Sequence, residues 1–312
     1  MQLDPQMKAL LDQLASAGGK PFHDGTPEEA RAGINALIGL VAGPPQKVAK
    51  IEDRKIPGPG GQIPVRIYTV AGAAPMGALV YFHGGGWVVG DIESHDVLCR
   101  SLANGAGCVV VSVDYRLAPE HKFPAAPEDS YAATRWIAEN GAALGIDAKR
   151  IAVGGDSAGG NLAAVVAQMA RDRGGPQIKF QLLVYPATDW LHETASQREF
   201  TEDGYILSRA DMVWFYDHYM NADSDRANPY FSPACARSLA GLPPAYVMTC
   251  DVDPLRDEGE AYAEGLRKAG VTVKSKRYPG VCHGFLMMPG VIDAAKGGIA
   301  DCCAELRHAI GR

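Results

Sequence analysis

Two glycine-rich motifs contain the residue types that acyl transfer requires. Gly155-Asp156-Ser157-Ala158-Gly159-Gly160 has the form G-x-S-x-G and lies between a β-like run and a helix-like run. Ser157 is therefore expected on a tight strand-to-helix turn with its hydroxyl exposed. His83-Gly84-Gly85-Gly86-Trp87 follows an earlier apolar run, and its glycines let the backbone approach a substrate closely. A serine beside a cluster of N–H donors predicts a nucleophile facing an oxyanion hole.

The expected oxyanion donors are backbone N–H groups from both motifs. They are those of Gly85, Gly86 and Ala158, with Gly84 as a further candidate. Ala158 would begin a helix, where the N–H has no intrahelical acceptor and the helix dipole favours negative charge. His83 is expected to brace the glycine loop by hydrogen bonding and not to act as the base.

The base must be a histidine that Ser157 can reach, because a serine hydroxyl is a weak nucleophile until its proton is removed. After a strand–turn–helix nucleophile, the chain order is serine, acid, histidine. His218, His283 and His308 satisfy that order. His218 and His308 lie in helix-like stretches, whereas His283 lies in a loop just after the last strand-like run. Loops at strand ends are where catalytic side chains converge, so we expect His283 to be the base.

The acid that orients this histidine has several candidates in the loop after the strand-like run 245–250, namely Asp251, Asp253, Asp257 and Glu258. Asp253 precedes Pro254 and a helix-like run, which is also the typical pattern of a helix N-cap. On the residues alone, Asp253 and Asp251 are nearly equal candidates.

The elements that must position these residues alternate between strand-like and helix-like runs. The strand-like runs are 64–69, 78–82, 108–114, 150–154, 180–185, 245–250 and 272–278. Helix-like runs separate most of them, at 95–105, 127–140, 161–173 and 255–269, and a last one spans 291–310. Several strand-like runs are apolar throughout, as is typical of strands covered on both faces. The pattern predicts an α/β fold with a mostly parallel central sheet and helices on both faces.

Two segments interrupt this alternation inside what we interpret as a single domain of residues 1–312. One covers about 1–50 and is helical in character. The other covers about 188–225 and is rich in aromatic residues. Insertions at the carboxyl ends of parallel strands lie beside the ligand crevice, so the second segment is expected to form a lid. The alternative is an ordinary helical insertion with a small core of its own.

Charge and composition exclude several classes of function. The net charge is −6 without a basic cluster, which argues against nucleic acid and anionic membranes as partners. No stretch is long and apolar enough to span a bilayer, and the first residues lack a signal-peptide pattern. Seven cysteines without C-x-x-C spacing favour the reducing cytoplasm, and Cys282 is interpreted as a core residue. His192-Glu193 lacks the second histidine of H-E-x-x-H because position 196 is serine, so no metal site and no cofactor are expected.

The chain resembles the hormone-sensitive-lipase-like carboxylesterases, bacterial esterase family IV of the α/β-hydrolase superfamily. The resemblance covers the chain from about residue 51 to its end and rests on five segments: HGGGW at 83–87, DYRLAPE at 114–120, GDSAGG at 155–160, DPLRD at 253–257 and HGF at 283–285. It implies that Asp253 is the acid of a Ser157–Asp253–His283 triad and that Asp251 is structural. It also implies a cap formed by about 1–50 and about 188–225.

The expected function is that of a serine carboxylesterase acting on short- to medium-chain acyl esters through an acyl-enzyme. The resemblance implies a small-molecule ester as partner and, for many members, a homodimer joined at the edge of the sheet. No stable membrane association is expected. Four residues are expected to line the substrate pocket: Trp87, Tyr185, Phe215 and Leu286.

Overall fold

A computed structural model describes residues 2–18, 20–201 and 204–311 of the chain. Residues 1, 19, 202 and 203, which fall in the two predicted cap segments, and residue 312 lie outside the described part. The strands are β1 (Lys50–Gly58), β2 (Gly61–Thr69), β3 (Met76–Phe82), β4 (Val109–Val113), β5 (Ile146–Asp156), β6 (Phe180–Val184), β7 (Ala245–Val252) and β8 (Val273–Cys282).

These strands form one eight-stranded sheet in the order β1-β2-β4-β3-β5-β6-β7-β8. β2 pairs antiparallel with β1 and with β4, while all pairs from β4 across to β8 are parallel. The prediction of a mostly parallel central sheet is therefore confirmed. Every residue of β3, β4 and β6 is buried, as expected for strands covered on both faces.

β1 was absent from the sequence prediction, and its burial explains why. Along Lys50–Gly58 only Ile56 is fully buried, and most of the other side chains are exposed. Such a strand lacks the alternation of apolar and polar residues that identifies a half-buried strand. It is held by its antiparallel register with β2, in which Ile56 faces Ile63.

The helices are α1 (Pro5–Ser16), α2 (Pro27–Val41), α3 (Asp96–Ala106), α4 (Ala125–Asn140), α5 (Ala158–Asp172), α6 (Ala195–Glu199), α7 (Arg209–Tyr219), α8 (Arg256–Lys268) and α9 (Asp293–Ile310). α3 packs on α9, and α4 packs on α5. The chain moves in opposite directions along the sheet from β3 to β4 and from β5 to β6, so right-handed crossovers place α3 and α5 on opposite faces. None of the described helices has the length and apolar character needed to cross a membrane.

The two segments that interrupt the alternation contact each other at a small cluster of side chains, called the clasp, that contains Phe22, His23, Asp211 and Phe215. The rings of Phe22 and Phe215 lie 5.1 Å apart between centroids. Asp211 Oδ1 accepts hydrogen bonds from the backbone N–H of His23 at 3.1 Å and from His23 Nδ1 at 2.9 Å. α2 is fixed from below by Arg31, which donates to Val88 O and forms a two-point ion pair with Glu120. These contacts join the N-terminal segment to the aromatic segment and fix α2 against the loops that follow β3 and β4.

Candidate active site

Ser157 stands on a sharp turn between β5 and α5. Its backbone has φ 55° and ψ −120°, a left-handed conformation that L residues rarely adopt. The flanking glycines are required by space, because a Cβ on Gly155 or Gly159 would come within 2.3 or 1.9 Å of Phe82 O. The helix therefore starts directly against the end of β3, and the serine side chain projects from the turn into the pocket.

A continuous chain of hydrogen bonds joins Ser157, His283 and Asp253. His283 Nε2 lies 2.8 Å from Ser157 Oγ, and His283 Nδ1 lies 2.8 Å from Asp253 Oδ2. His283 follows β8 and Asp253 follows β7, so two neighbouring parallel strands deliver both side chains to the same edge. Because a carboxylate only accepts, Nδ1 carries a hydrogen and Nε2 is left to accept the serine proton.

The two candidate acids occupy different surroundings. Asp253 is fully buried, and its Oδ1 accepts the N–H of Leu255 at 2.8 Å while Oδ2 faces His283. The N-cap of α8 is Leu255, so Asp253 does not cap this helix, and its two oxygens contact the turn before α8 and His283. Asp251 points elsewhere, since its Oδ2 accepts the N–H of Gly280 at 3.1 Å.

Two residues of the glycine loop, Gly85 and Gly86, line the pocket. Gly85 has φ 118° and Gly86 has φ 56°, and a Cβ on Gly85 would lie 2.1 Å from Val89 O. Within the described residues, no hydrogen bond uses either N–H. Gly84 differs from this pair because its N–H donates to Asp156 Oδ1 at 3.0 Å. Of the four predicted oxyanion donors, Gly84 is thus already engaged inside the protein.

His83 braces this loop from within. Burial, with the charge of the neighbouring His95, lowers the pKa of His83 to about 4, so its ring is neutral. Its Nδ1 donates to Gly84 O at 2.8 Å. The ring stacks on Tyr115 with centroids 4.2 Å apart, and Tyr115 OH donates to His83 O at 2.7 Å. His83 therefore holds the loop backbone, as the sequence suggested.

The pocket around Ser157 has an empty volume of about 880 Å³, including its open mouth, and its walls are mainly apolar. Trp87 and Phe215 line it, and Phe215 lies directly over Gly86, whose Cβ would be 2.2 Å from the ring. The other two predicted lining residues are placed elsewhere. The ring of Tyr185 packs against His283 at 4.7 Å between centroids, behind the imidazole. Leu286 is buried against α9, near Gly298.

Several pocket residues were missed by the sequence reasoning. They come from the N-terminal segment and from the loop after β8, and they are Phe22, Ile34, Leu37, Ile38, Met287 and Met288. Ile34, Leu37 and Ile38 have the spacing of one apolar helix face, a signal that the sequence carried. The two methionines lie close after His283, but methionine packs equally well in a protein core and in a pocket wall, so the residue type alone did not predict their position.

The remaining candidates of the chain have no place in this arrangement. Cys282 is fully buried, and burial raises the pKa of its thiol to about 12. His218 Nδ1 donates to Trp214 O within α7, and His192 pairs with Asp189. Among residues 2–18, 20–201 and 204–311, no group of three or more His, Cys, Asp or Glu side chains is arranged to hold a metal ion.

Comparison with known proteins gives a consistent result. A family described as having the alpha/beta hydrolase fold matches residues 79–287. The chain is similar to the carboxylic ester hydrolase LipN of Mycobacterium tuberculosis, with 42% identity over 99% of this chain and 84% of that protein. It is also similar to an ethyl acetate hydrolase of Pseudomonas putida, with 40% identity over 96% of each chain. Among solved structures, a hyperthermophilic esterase from the archaeon Pyrobaculum calidifontis superposes with a TM-score of 0.94 and 44% identity, over 99% of both chains.

Proposed function

The chain belongs to the hormone-sensitive-lipase-like carboxylesterases of the α/β-hydrolase superfamily, and from that premise we propose that it is a serine esterase of short- to medium-chain acyl esters. Carboxylic ester hydrolysis is the activity named for its relatives at 40–44% identity. The observation that carries the serine mechanism is the hydrogen-bonded chain from Ser157 Oγ through His283 to Asp253.

In the proposed acylation step, His283 Nε2 takes the proton of Ser157 as Oγ attacks the ester carbonyl carbon. The carbonyl π electrons move to oxygen, and a tetrahedral oxyanion forms. Asp253 stabilises the imidazolium and keeps its ring in the required orientation. His283 then gives its proton to the alcohol oxygen, the carbon–oxygen bond breaks, and the acyl-enzyme remains.

In the proposed deacylation step, water takes the place of the alcohol. His283 removes one water proton while the oxygen attacks the acyl carbon, and a second tetrahedral oxyanion forms. Its collapse returns the proton from His283 to Ser157 Oγ and releases the carboxylic acid. The base and the nucleophile are thereby restored for the next turnover.

The oxyanion is proposed to be held by the N–H groups of Gly85, Gly86 and Ala158. The first two are supported by their unused N–H groups beside the pocket. Ala158 is the first residue of α5, where the backbone N–H has no intrahelical acceptor. Gly84 is left out of this proposal because its N–H is engaged by Asp156.

The substrate range is proposed from the size and chemistry of the pocket. Apolar walls suit an acyl chain, because pockets that bind small molecules are lined predominantly by hydrophobic side chains. We infer that residues 1–312 form a single domain and that its segments of about 1–50 and about 188–225 form the cap. The clasp between Phe22 and Phe215 would then limit the length of the chain that fits.

Two further proposals concern the setting of the enzyme. The seven cysteines are free thiols, which favours a reducing cytoplasm. A homodimer is proposed through β8, the strand at one end of the sheet order, because an edge strand offers backbone groups for pairing. Size-exclusion chromatography with light scattering would test the dimer.

The experiment for the proposed activity compares the wild type with Ser157→Ala on p-nitrophenyl butyrate. The variant is expected to lose turnover by at least about 10⁴-fold while its circular dichroism stays unchanged. Undiminished turnover would refute Ser157 as the nucleophile. A series from acetate to palmitate should give the highest kcat/KM at short to medium chains, and a maximum at palmitate would contradict the proposed substrate range.

A further inference from the structure

A buried polar cluster lies behind the glycine loop and outside the hydrogen-bonded chain of Ser157. Asp156 Oδ1 accepts from Tyr81 OH at 2.7 Å and from the N–H of Gly84 at 3.0 Å. His95 Nε2 lies 3.1 Å from the same oxygen and 3.2 Å from the Gly84 nitrogen, so His95 contacts both ends of this hydrogen bond. We propose that Asp156, supported by His95 and Tyr81, is a positioning residue that sets the separation between the two halves of the oxyanion hole, an inference that rests on the proposed serine esterase function.

The location of Asp156 in the sheet explains how it could do so. β3 and β5 are parallel neighbours, and the last pair in their register is Phe82 with Gly155. Beyond that pair the two chains diverge, one into the glycine loop and the other into the turn that carries Ser157. The Asp156 carboxylate bridges this split by accepting the N–H of Gly84, so a side chain continues the connection where backbone pairing ends.

Each side of this bridge leads directly to an oxyanion donor. Gly84 precedes Gly85, and Asp156 lies two residues before Ala158. A Cβ on Gly84 would come within 2.4 Å of Asp156 Oδ2, so the backbone of the loop rests on the carboxylate itself. A change in the position of Asp156 would therefore alter the distance between the loop donors and the Ala158 N–H.

The orientation of the loop donors also depends on this tether. Both ends of the His83–Gly84 peptide are held, since Tyr115 OH donates to its carbonyl and Asp156 accepts its N–H. In the next peptide, Gly84 O accepts from His83 Nδ1. Because the C=O and N–H of a trans peptide point in opposite directions, a carbonyl directed at the buried imidazole turns the Gly85 N–H toward the pocket.

The cluster is arranged to keep Asp156 charged. Burial by itself would raise the pKa of the carboxyl, but His95 and Tyr81, with a smaller effect of His83, hold that pKa below its ordinary value. Hydrogen bonds to an ionised acceptor are about twice as strong as those between neutral groups. Ser94 Oγ, 2.9 Å from His95 Nδ1, fixes the other side of the imidazole.

The test measures ester hydrolysis by Asp156→Ala and by Asp156→Asn, which keeps an acceptor oxygen but loses the charge. Deleting one oxyanion donor typically lowers kcat by 10²–10³-fold, so misplacing donors without deleting them should lower kcat by about 10–100-fold in Asp156→Ala. The loss in Asp156→Asn should be smaller, and KM should change by less than about threefold in both variants, because the tether acts in the transition state.

A thionoester substrate distinguishes loss of the oxyanion hole from a shift of Ser157. Sulfur accepts hydrogen bonds weakly, so an intact hole favours the oxygen ester over its thiono analogue. In Asp156→Ala that preference, measured as the ratio of the two kcat/KM values, should shrink by a factor comparable to the loss in kcat. An unchanged ratio would overturn the proposal, since Asp156 would then act through the nucleophile.

Val153→Ala is the matched control, because Val153 is fully buried on the same strand and pairs with Val80 of β3, three residues before the glycine loop begins. It should lower Tm through lost packing while kcat stays within about twofold of the wild type. If Asp156→Ala does not fold, His95→Gln provides the same readouts with an intact carboxylate. Two outcomes would refute this inference. One is a loss of kcat in Val153→Ala as large as that in His95→Gln. The other is full kcat in the Asp156 variants while Ser157→Ala is inactive, a result that would leave the esterase proposal intact.

Discussion

Replacement of Asp253 by asparagine should nearly abolish turnover, whereas the same change at Asp251 should not. Asp253 Oδ2 accepts the Nδ1 hydrogen of His283 at 2.8 Å, and the side chain is fully buried. An amide of the same shape removes the negative charge that stabilises the imidazolium. Its NH₂ group can also donate to Nδ1, which moves the ring hydrogen to Nε2 and blocks acceptance of the Ser157 proton.

The magnitude follows from this change of tautomer. An Asp-to-Asn replacement in a Ser-His-Asp triad lowers kcat by about 10⁴-fold, and a partial loss of the correct tautomer would give about 10³-fold. The range of 10³–10⁴ corresponds to about 4–5.5 kcal/mol of transition-state stabilisation. The fold should survive, because with the NH₂ group facing His283 the single amide oxygen at position 253 can still accept the N–H of Leu255.

Asp251→Asn is the matched control for this experiment. It lies two residues away, and its carboxylate accepts the N–H of Gly280, so the change weakens one hydrogen bond to a charged group. We expect a loss of stability of about 1 kcal/mol and a kcat within about threefold of the wild type. Steady-state kinetics with p-nitrophenyl butyrate and thermal unfolding followed by circular dichroism measure both effects. Equal losses of kcat in the two variants, or a larger loss in Asp251→Asn, would refute the assignment of the acid.

Two further perturbations test the pocket and the electrostatics of one half-buried carboxyl, that of Asp114. Phe215→Ala removes the ring above Gly86 and makes room for a longer acyl chain. If two extra methylenes are buried at about 0.8 kcal/mol each, kcat/KM for longer chains relative to butyrate should rise by about tenfold. Phe215→Leu should shift this chain-length profile less, and an unchanged profile in Phe215→Ala would contradict the lining role. Burial, with the charge of Asp91, raises the pKa of Asp114 to about 6. The folded protein therefore binds the proton of the Asp114 carboxyl more tightly than the unfolded chain does. As a result, the free energy of unfolding should fall as pH rises through about 4–6. Asp114→Asn should therefore have a higher Tm than the wild type at about pH 8, by an amount that vanishes near pH 4 in differential scanning fluorimetry, and equal Tm values at every pH would count against the shifted pKa.

The central strands β3, β4 and β6 could be predicted because burial on both faces makes their sequences almost entirely apolar. Residues 109–111 are three valines, and the whole of β4 is buried. β1 could not be predicted in this way, since its exposed and charged residues are held by pairing with β2 and not by a core. The same limit applies to the pocket walls, where Leu286 and Met287 are adjacent and only the fold decides which faces the substrate.

The candidate site divides along a similar physical line. Ser157 was predicted from a motif typical of a tight strand-to-helix turn, which is a local signal, and His283 from chain order and its place in a loop after the last strand-like run. Asp253 could not be separated from Asp251 by local physics, because an aspartate before proline is also typical of a helix N-cap; in the structure the N-cap of α8 is Leu255. The hydrogen bond from the Gly84 N–H could not be predicted, because the Asp156 carboxylate that accepts it is far away in sequence.

The central claim is that Ser157, activated by His283, attacks ester carbonyls. The most direct test of this claim is covalent labelling of the protein with a fluorophosphonate, followed by mass spectrometry of the peptide that contains residue 157. We predict one phosphonyl group per chain on Ser157, loss of hydrolysis in proportion to labelling, and no rapid labelling of the His283→Ala variant. Labelling of another residue, or full hydrolysis by protein labelled at Ser157, would contradict the claim.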